Sequence, residues 1–559
     1  MAAPRLEQPV VVQSLEKAWI GVVLCLSVGA AIWVHVSGPL FRLGQTWEED
    51  ALFQIVARNI SLRGPLADLF LDNYALGTDP AAQPFYYTHF PTVSGILQWT
   101  LGFVGGLATI KALCIGFFAA GQIYTYLFLR RIFPATVAIF AFTASALSFP
   151  GAINWADSTV HSLHWLALFG ALYHFDVYLS RPATASRWHQ LGLAILFFVL
   201  AVFLTLIHAF VVGFAALYLC WHRGLHGRLY GAMAFFATPI MCICFHFARV
   251  VYLVGLPAFR YDLLQNIRKS SDSVSFEQLA DAYRQLGIVV WPTADFPGFT
   301  RLELLGEMVR LTSIAIGRIG TAVIGGAALI GLIAVAVKLV RSLAASFPFK
   351  LPWLAAFEPL PFLTGGLIAW AVIFPVHTAN YFGATPKILV IFYFATAAGL
   401  LIDLAAKGLM SDLPRFAQAG SAAAMALLGL WLGTVWWQGY GDIKFVAVPG
   451  SAALANYRGR TFYTNAWPFL VSLNTTEWSI GGLSPEDAEA RNYPAARYLM
   501  QRDYRNAAKY GRPDYYFWIS DSRFAPFVEH QPTLPKFKLR ESGEGWAIYA
   551  MCPCETSAQ

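Results

Sequence analysis

The stretch FPTVSGILQWTLGFVGGLATIKALCIGFFAAGQIYTYLFLRR, residues 90–131, decides how this chain is folded. It is apolar for long enough to hold either one membrane span or two, and the choice sets the side of everything that follows. A spanning helix needs about 20 mostly apolar residues. Residues 107–129 meet that length and end at Arg130-Arg131. Residues 90–106 (FPTVSGILQWTLGFVGG) are shorter and rich in glycine. Counting them as a span would place Arg130 and Arg131 on the side opposite to the other basic residues. The reading adopted therefore puts 90–106 on the outer surface or partly inserted, in an interfacial role, and 107–129 across the bilayer.

Outward from that stretch, further spans are expected near 18–40, 134–153, 158–179, 188–205, 206–222, 229–255, 319–340, 358–376, 386–406 and 416–437, eleven in all. Cytoplasmic segments carry an excess of Lys and Arg. With the N-terminus inside, the inner segments hold Arg5 and Lys17, then Arg130 and Arg131, then Arg181 and Arg187. Next come Arg223 and Arg228, then Lys338, Arg341 and Lys350, and last Lys407 and Arg415. Every inner segment has at least two positive residues, which supports the count. The composition agrees: 57% of the 559 residues are hydrophobic and 13% charged, against about 45–50% and about 25% in a soluble domain. Mean hydropathy is +0.53. These values exclude a water-soluble enzyme, a disordered chain and a nucleic-acid-binding domain; the +7 net charge is spread between apolar segments rather than gathered in one patch. The first 17 residues are polar or mixed and the next run is long enough to stay as an anchor, so no cleaved leader is expected. Cys25, Cys114, Cys220, Cys242 and Cys244 lie in apolar runs and read as small hydrophobes.

The expected fold is thus a mainly α-helical polytopic membrane protein, residues 1–440, with a C-terminal soluble α/β domain, residues 441–559. Three parts lie outside: loop 41–106, the polar stretch 256–315 with a helix expected at 275–287, and the C-terminal domain. That domain has ordinary soluble composition, with 13 Lys/Arg against 12 Asp/Glu. Strand-like runs RTFYTN, DYYFWIS and GWAIYAM alternate there with the helical stretch SPEDAEARNYPAARYLMQRDY.

The first outer loop opens with Thr46-Trp47-Glu48-Glu49-Asp50, followed by ALFQIVARNI. Leu52, Ile55, Val56 and Asn59/Ile60 fall on one side at helical spacing and Arg58 on the other, which predicts an amphipathic helix lying on the membrane. Acidic residues at a helix start are stabilised by its dipole, a purely structural account of these acids. Asp157, in the short outer connection Asn154–Ser158, brings a second carboxylate to the same depth. Two carboxylates converging at one face suit a general base with its orienting partner, or a shared divalent metal. Alone, Asp157 reads as a helix cap. Lys111, His89, Arg260, Arg268, Lys269, Arg318, His377 and Lys387 lie outside or near the outer span ends, a supply of cations suited to a phosphate-bearing substrate. His161, His164, His174, Asp176, His208, His246 and Arg249 lie within spans, where they read mostly as interhelical hydrogen-bonding groups. No HExxH, GxSxG, P-loop or CxxC pattern occurs.

This layout resembles the type C (GT-C) integral membrane glycosyltransferases, in the branch of the protein O-mannosyltransferases and the lipid A aminoarabinose transferases. In that family an acidic pair in the first outer loop opens a stretch D-E-x-x-Y-x-x-I-x-R-x-M. Residues 49–60, EDALFQIVARNI, share the layout, with the pair inverted and Phe53 in place of Tyr. The family's Lys-Pro-Pro or His-Pro-Pro run, leading into an aromatic segment that ends Leu-Phe-Gly, is matched by Thr88-His89-Phe90-Pro91 and GILQWTLGFVG, with one proline missing. Asp157 matches the family's second-loop acid in position, and Asn380-Tyr381 with Pro386-Lys387 stands where the family has Arg-Tyr and a later Pro.

The resemblance implies transfer of a sugar from a polyprenyl-phosphate-linked donor to an acceptor hydroxyl on a lipid, glycan or protein, on the extracytoplasmic face, by inverting single displacement. It implies Glu49, Asp50 and Asp157 as catalytic acids, with Glu49 the first choice of base. Arg58, His89, Lys387 and Arg260 would hold the donor phosphate, and Trp47, Tyr381 and His377 the sugar or acceptor. No cofactor is assigned, a divalent metal stays open as an alternative, and no metal ligand is assigned. The expected location is a bacterial inner membrane, with the N-terminus cytoplasmic and the C-terminal domain periplasmic. The alternatives from other classes are a lipid or oligosaccharide transporter without glycosyl transfer, and a membrane scaffold whose outer domain does the binding.

Overall fold

The structure is a computed structural model. It describes residues 10–37, 45–73, 94–148, 159–182, 185–268, 301–343, 352–373, 384–409, 415–440, 448–465, 514–520 and 537–551, with short pieces at 471, 475 and 479–480. Twelve α-helices occur among them: α1 (Val10–Ser37), α2 (Gln45–Arg63), α3 (Ser94–Ile132), α4 (Ala135–Leu147), α5 (Thr159–Ser180), α6 (Ala185–Leu204), α7 (Ile207–Arg223), α8 (Leu229–Arg268), α9 (Arg301–Leu343), α10 (Pro359–Ile373), α11 (Ala384–Leu409) and α12 (Arg415–Tyr440). Each of the eleven expected spans is a helix, and α2 is the twelfth. Among the described residues seven helices are long and apolar enough to cross a membrane, and Ala135–Leu147, Ile207–Arg223 and Ala422–Thr434 are shorter apolar helices. The protein is a multi-pass helical membrane protein.

Two glycines interrupt the longest helices. Gly255 in α8 (φ 82°) and Gly317 in α9 (φ 75°) take left-handed backbone conformations that break the helical path. Only glycine does this without a steric penalty. The breaks stand at the expected edges of the 229–255 and 319–340 spans, so the polar stretch between them is entered and left through helical segments, 256–268 and 301–316. The helix expected at 275–287 lies outside the described residues.

Residues 94–106 depart from expectation. Rather than forming a separate surface element of loop 41–106, they are the first third of α3, which runs unbroken for 39 residues. At about 1.5 Å per residue that is about 58 Å, nearly twice the roughly 30 Å hydrocarbon core. The apolar run continues the helix because nothing in it caps or kinks the backbone, and α2 packs along α3.

α5 is the hub. Between Ser162 and Leu179 every residue is buried except the half-buried Leu166 and Tyr173, and the helix packs on α3, α6 and α7. α12 returns to pack on α4, and α11 packs on both α4 and α9. Small residues permit the closest approaches, as is usual where lipid gives no hydrophobic drive between helices. A Cβ built on Gly121 of α3 would lie 2.8 Å from the Leu166 backbone N. One on Gly366 of α10 would lie 2.5 Å from Val211 Cα and 2.6 Å from the Phe210 carbonyl oxygen of α7. Backbone cannot yield as a side chain can, so Gly366→Val is expected to cost about 1–3 kcal/mol. Gly213→Ala in α7, where a Cβ meets nothing within 4 Å, is expected to be neutral or slightly stabilising. Thermal unfolding in detergent checks both; equal midpoints for the two variants would contradict the packing. Of the cysteines expected to be small buried hydrophobes, Cys114, Cys220 and Cys242 are buried, whereas Cys25 and Cys244 face outward from the bundle.

The basic segments assigned to one side do meet on one face. Glu16 of α1 accepts from Arg130 Nε at 2.5 Å and also pairs with Tyr126. Asp176 of α5 is fully buried and accepts from Arg131 and from Arg223 Nε, the latter at 2.8 Å. Arg228 Nη2 donates to the Arg181 carbonyl at 3.5 Å. Thr136 donates to Asp403 at 2.5 Å, and Asp403 pairs with Lys407. Lys338 pairs with Glu358 at 2.8 Å and sits over the Trp221 ring. These bonds join residues from all six basic segments to one another.

Beyond α12, residues 448–551 contain a five-stranded sheet: β1 (Phe462–Thr464), β2 (Ser479–Ile480), β3 (Tyr515–Ile519), β4 (Phe537–Gly543) and β5 (Trp546–Met551), in the order β2-β1-β3-β5-β4. β1 is parallel to β2 and β3, while β5 is antiparallel to β3 and β4. Its small core includes Val448, Leu454, Phe462, Phe517, Ile519 and Ile548. The buried Asn465 prolongs the β1–β3 pairing through its side chain: Oδ1 accepts from Ile519 N at 2.9 Å and Nδ2 donates to Ile519 O at 2.7 Å. All three strand-like runs read in the sequence contain strands, and the helical stretch between them lies outside the described residues.

Candidate functional site

Arg249 lies 20 residues into α8 from Leu229, about 30 Å along the axis and hence at the face opposite Arg131 and Asp176. There its Nη1 donates to the Leu69 carbonyl oxygen at 2.9 Å, and its guanidinium stands over the Phe245 and Phe203 rings at 4.6 and 5.3 Å. A nearly buried arginine reaching out of a span to a loop carbonyl marks this face as the place to look for function.

The loop it holds is unusual. Leu69 (φ 49°) and Phe70 (φ 59°) both adopt the left-handed region without being glycine, a conformation that survives only where surroundings impose it. Here they do. Arg63 pairs with Asp68 at 3.1 Å, Asn73 Nδ2 donates to Asp68 at 3.2 Å, and Asn59 Nδ2 donates to the Asn73 carbonyl at 2.9 Å. Asp68, Asp72, Asn59 and Asn73 are all buried, and Asp72 lies within Coulombic range of Arg249. Leu71 and Val250 bury against each other with Phe259 beside them, so the segment after the Gly255 break joins the same knot.

The knot fixes α2. Ile55, Val56, Asn59 and Ile60 are buried and α2 packs on α3. The apolar stripe expected to lie on the membrane is therefore buried by protein instead, with α2 packed on α3 and its loop bonded back to Asn59. Asn59 begins a sequon-like Asn59-Ile60-Ser61, but its amide is spent inside this knot.

The acids and cations read from the sequence distribute as follows. Trp47, Glu49 and Asp50 lie in the first two turns of α2. Arg58 is half-buried in the knot, its Nε and Nη2 each 3.4 Å from Asn59 Oδ1. Arg260 is exposed, next to Phe259. Lys387 is the fourth residue of α11, 20 residues from Lys407 and so about 30 Å from the charged face at the other end. The structure thus brings the α2 acids, Arg58, Arg260 and Lys387 to one side of the bundle. His89, Asp157, His377 and Tyr381 lie outside the described residues. Among the described residues no group of three His, Cys, Asp or Glu is placed to hold a metal ion.

Asp68, Asp72 and the Arg249 clamp were not singled out in the sequence as parts of this site. The signal present was LADLFLDN, residues 66–73, two acids four apart between apolar residues. Nothing in that pattern announces a left-handed turn at Leu69 and Phe70. Two of the histidines read as interhelical hydrogen-bonding groups act so: His174 bonds Tyr124 at 3.0 Å and Gln190 at 2.6 Å, and His208 Nδ1 bonds the Ala201 carbonyl at 3.2 Å.

No family model matches the chain and no curated protein matches it. Among solved structures it is similar to the archaeal oligosaccharyltransferase AglB from Archaeoglobus fulgidus in complex with an inhibitory peptide and a dolichol-phosphate, at 12% identity over 97% of this chain and 75% of that one, TM-score 0.49. It is also similar to ArnT from Cupriavidus metallidurans bound to undecaprenyl phosphate, at 15% identity over 97% of this chain and 98% of that one, TM-score 0.42. A third is the arabinofuranosyltransferase AftD from Mycobacteria, at 14% identity over 96% of this chain and 41% of that one, TM-score 0.41.

Proposed function

We propose that the protein is a membrane glycosyltransferase that moves a sugar from a polyprenyl-phosphate donor to an acceptor hydroxyl by inverting single displacement. The observation that carries the reading is the anchoring of α2. The helix bearing Glu49, Asp50 and Arg58 is held by buried polar contacts from its own loop, and Arg249 of a spanning helix holds that loop in turn. A base and a phosphate ligand about two and a half helical turns apart on one helix gain from such rigidity if a reacting geometry must be held.

In this mechanism the donor's lipid tail lies between spans. Its phosphate is held by Arg58, with Lys387, Arg260 and His89 adding charge as the leaving phosphate forms. Glu49 takes the acceptor proton, and Asp50 or Asp157 orients the acceptor or the base. The acceptor oxygen bonds to the anomeric carbon as the carbon–phosphate oxygen bond breaks, which inverts configuration. Trp47, Tyr381 and His377 would flank the sugar or acceptor. We place the Asp176 face in the cytoplasm, and the acids and the 441–559 domain in the periplasm of a bacterial inner membrane. In this arrangement that domain shapes acceptor choice.

Native mass spectrometry of the detergent-purified chain titrated with undecaprenyl phosphate tests the reading. The expected result is saturable one-to-one binding, weakened about tenfold or more in Arg58→Ala/Lys387→Ala as charge-assisted phosphate contacts are lost. Unsaturable binding, or binding indifferent to the variant, would sink it.

A further inference from the structure

On the face opposite the acids, three arginines gather without a carboxylate. Arg181 follows α5, Arg187 lies in the first turn of α6, and Arg228 stands just before α8. Arg181 Nη1 donates to Ser186 Oγ at 2.6 Å, which brings it to the start of α6. Arg187 Nη2 donates to the Gly227 carbonyl at 2.6 Å and lies 3.3 Å from the Tyr178 hydroxyl, which itself donates to the Arg228 carbonyl at 3.3 Å. Arg228 Nη2 reaches back to the Arg181 carbonyl. The three form one cluster built on Tyr178.

The nearest acid on that face, Asp176, is already engaged by Arg131 and Arg223. Among the described residues none of Arg181, Arg187 and Arg228 pairs with a carboxylate. Arg187 is only 6% exposed, yet its Nε has no hydrogen-bond partner, and neither has the buried Nε of Arg228. Buried guanidinium N–H groups are costly to leave unmade, and an arginine fork matches the oxygens of a phosphate.

The helices add to this charge. α6 and α8 both begin here, side by side. A Cβ on Gly231, in the first turn of α8, would fall on the Tyr178 hydroxyl and 3.0 Å from a Leu191 methyl. Two helix N-termini therefore present their positive ends where the arginines gather. Trp188, stacked on Arg187 at 5.6 Å and 55% exposed, and Tyr230, 85% exposed, flank the cluster. Aromatic residues of this kind mark the headgroup level of a bilayer.

We infer that the Arg181–Arg187–Arg228 cluster is a binding site for a phosphate monoanion or dianion, presented by an anionic phospholipid headgroup at the face opposite the α2 acids. The site is independent of the proposed transfer reaction and makes no use of its residues. A phosphate here is met by the exposed Arg181 and the outer edge of the half-buried Arg228, with Arg187 fixing the cluster from within, and joins the α5–α6 corner to the α7–α8 corner.

The test is native mass spectrometry of the full chain, delipidated in detergent and titrated with phosphatidylglycerol, phosphatidylcholine or inorganic phosphate. Arg187 is buried against Tyr178, so the variant is the more exposed pair, Arg181→Gln/Arg228→Gln, with thermal unfolding as the check that it folds. The expected result is one saturable phosphatidylglycerol per chain, bound about tenfold or more weakly by the variant, and no matching site for phosphatidylcholine. Retention of that site by Arg58→Ala/Lys387→Ala separates it from the donor site. Inorganic phosphate that binds with the same variant dependence and displaces the lipid would support the anion site while assigning it to a soluble phosphate. Phosphatidylglycerol binding unchanged in the double variant, or phosphatidylcholine binding as tightly, overturns the inference.

Discussion

Asp176→Ala is expected to destabilise the helix bundle by about 3–5 kcal/mol, the cost of removing one partner from a buried ion pair. Asp176 is 0% exposed and accepts from Arg131 of α3 and from Arg223 of α7, with Arg223 Nε at 2.8 Å. Arg223 also donates to the Arg131 carbonyl at 3.3 Å, and Arg131 to Ser180 Oγ at 2.9 Å. Without the carboxylate two guanidiniums face each other with no counter-charge. Asp176→Asn keeps the shape but not the charge and should fall between wild type and alanine. Unfolding followed by circular dichroism in detergent measures the loss. An alanine variant that melts with the wild type would show that the three helices are held together by packing alone.

The second large effect is on activity. Glu49→Gln is expected to reduce sugar transfer by about 10²–10⁴-fold, the usual contribution of a positioned general base, with an unchanged unfolding midpoint. Asp50→Asn tests which acid takes the proton: as an orienting group it should lose less than Glu49→Gln. The measurement is release of polyprenyl phosphate, together with labelled sugar appearing on the acceptor. Full activity in both amide variants would remove the α2 acids from the chemistry, whatever the lipid-binding experiments show.

How much of this was legible in the sequence depends on what kind of contact carries each feature. The spans were readable because apolar length is a local property: a run such as 229–255 must be helical to satisfy its backbone in lipid. Their shared side was readable from the basic residues, and the bonds from Glu16 to Arg130 and from Thr136 to Asp403 connect the corners so assigned. The fate of 94–106 was not, since an interfacial helix and a helical extension of a span have the same composition.

The candidate site divides in the same way. The acids and Arg58 were visible as a short linear pattern within one helix. Asp68, Asp72 and Arg249 were not, because Arg249 is 180 residues from the carbonyl it binds and no spacing in the chain relates them. The amphipathic stripe of α2 was read correctly and its partner was not: periodicity shows which face is apolar, never what will cover it.

By itself, then, the sequence determined the membrane-spanning class, the helices, and the strands at 462–464, 515–519 and 546–551. These follow from local physics: backbone satisfaction in lipid, charge placement at interfaces, and alternation in strands. Only the tertiary structure decided that loop 64–73 turns left-handed at Leu69 and Phe70, that Arg249 holds it, and that Asp176 ties three helices together. Each of these sets a local cost, a strained φ or a buried charge, against partners far away in the chain, and such an exchange exists only once the helices have packed.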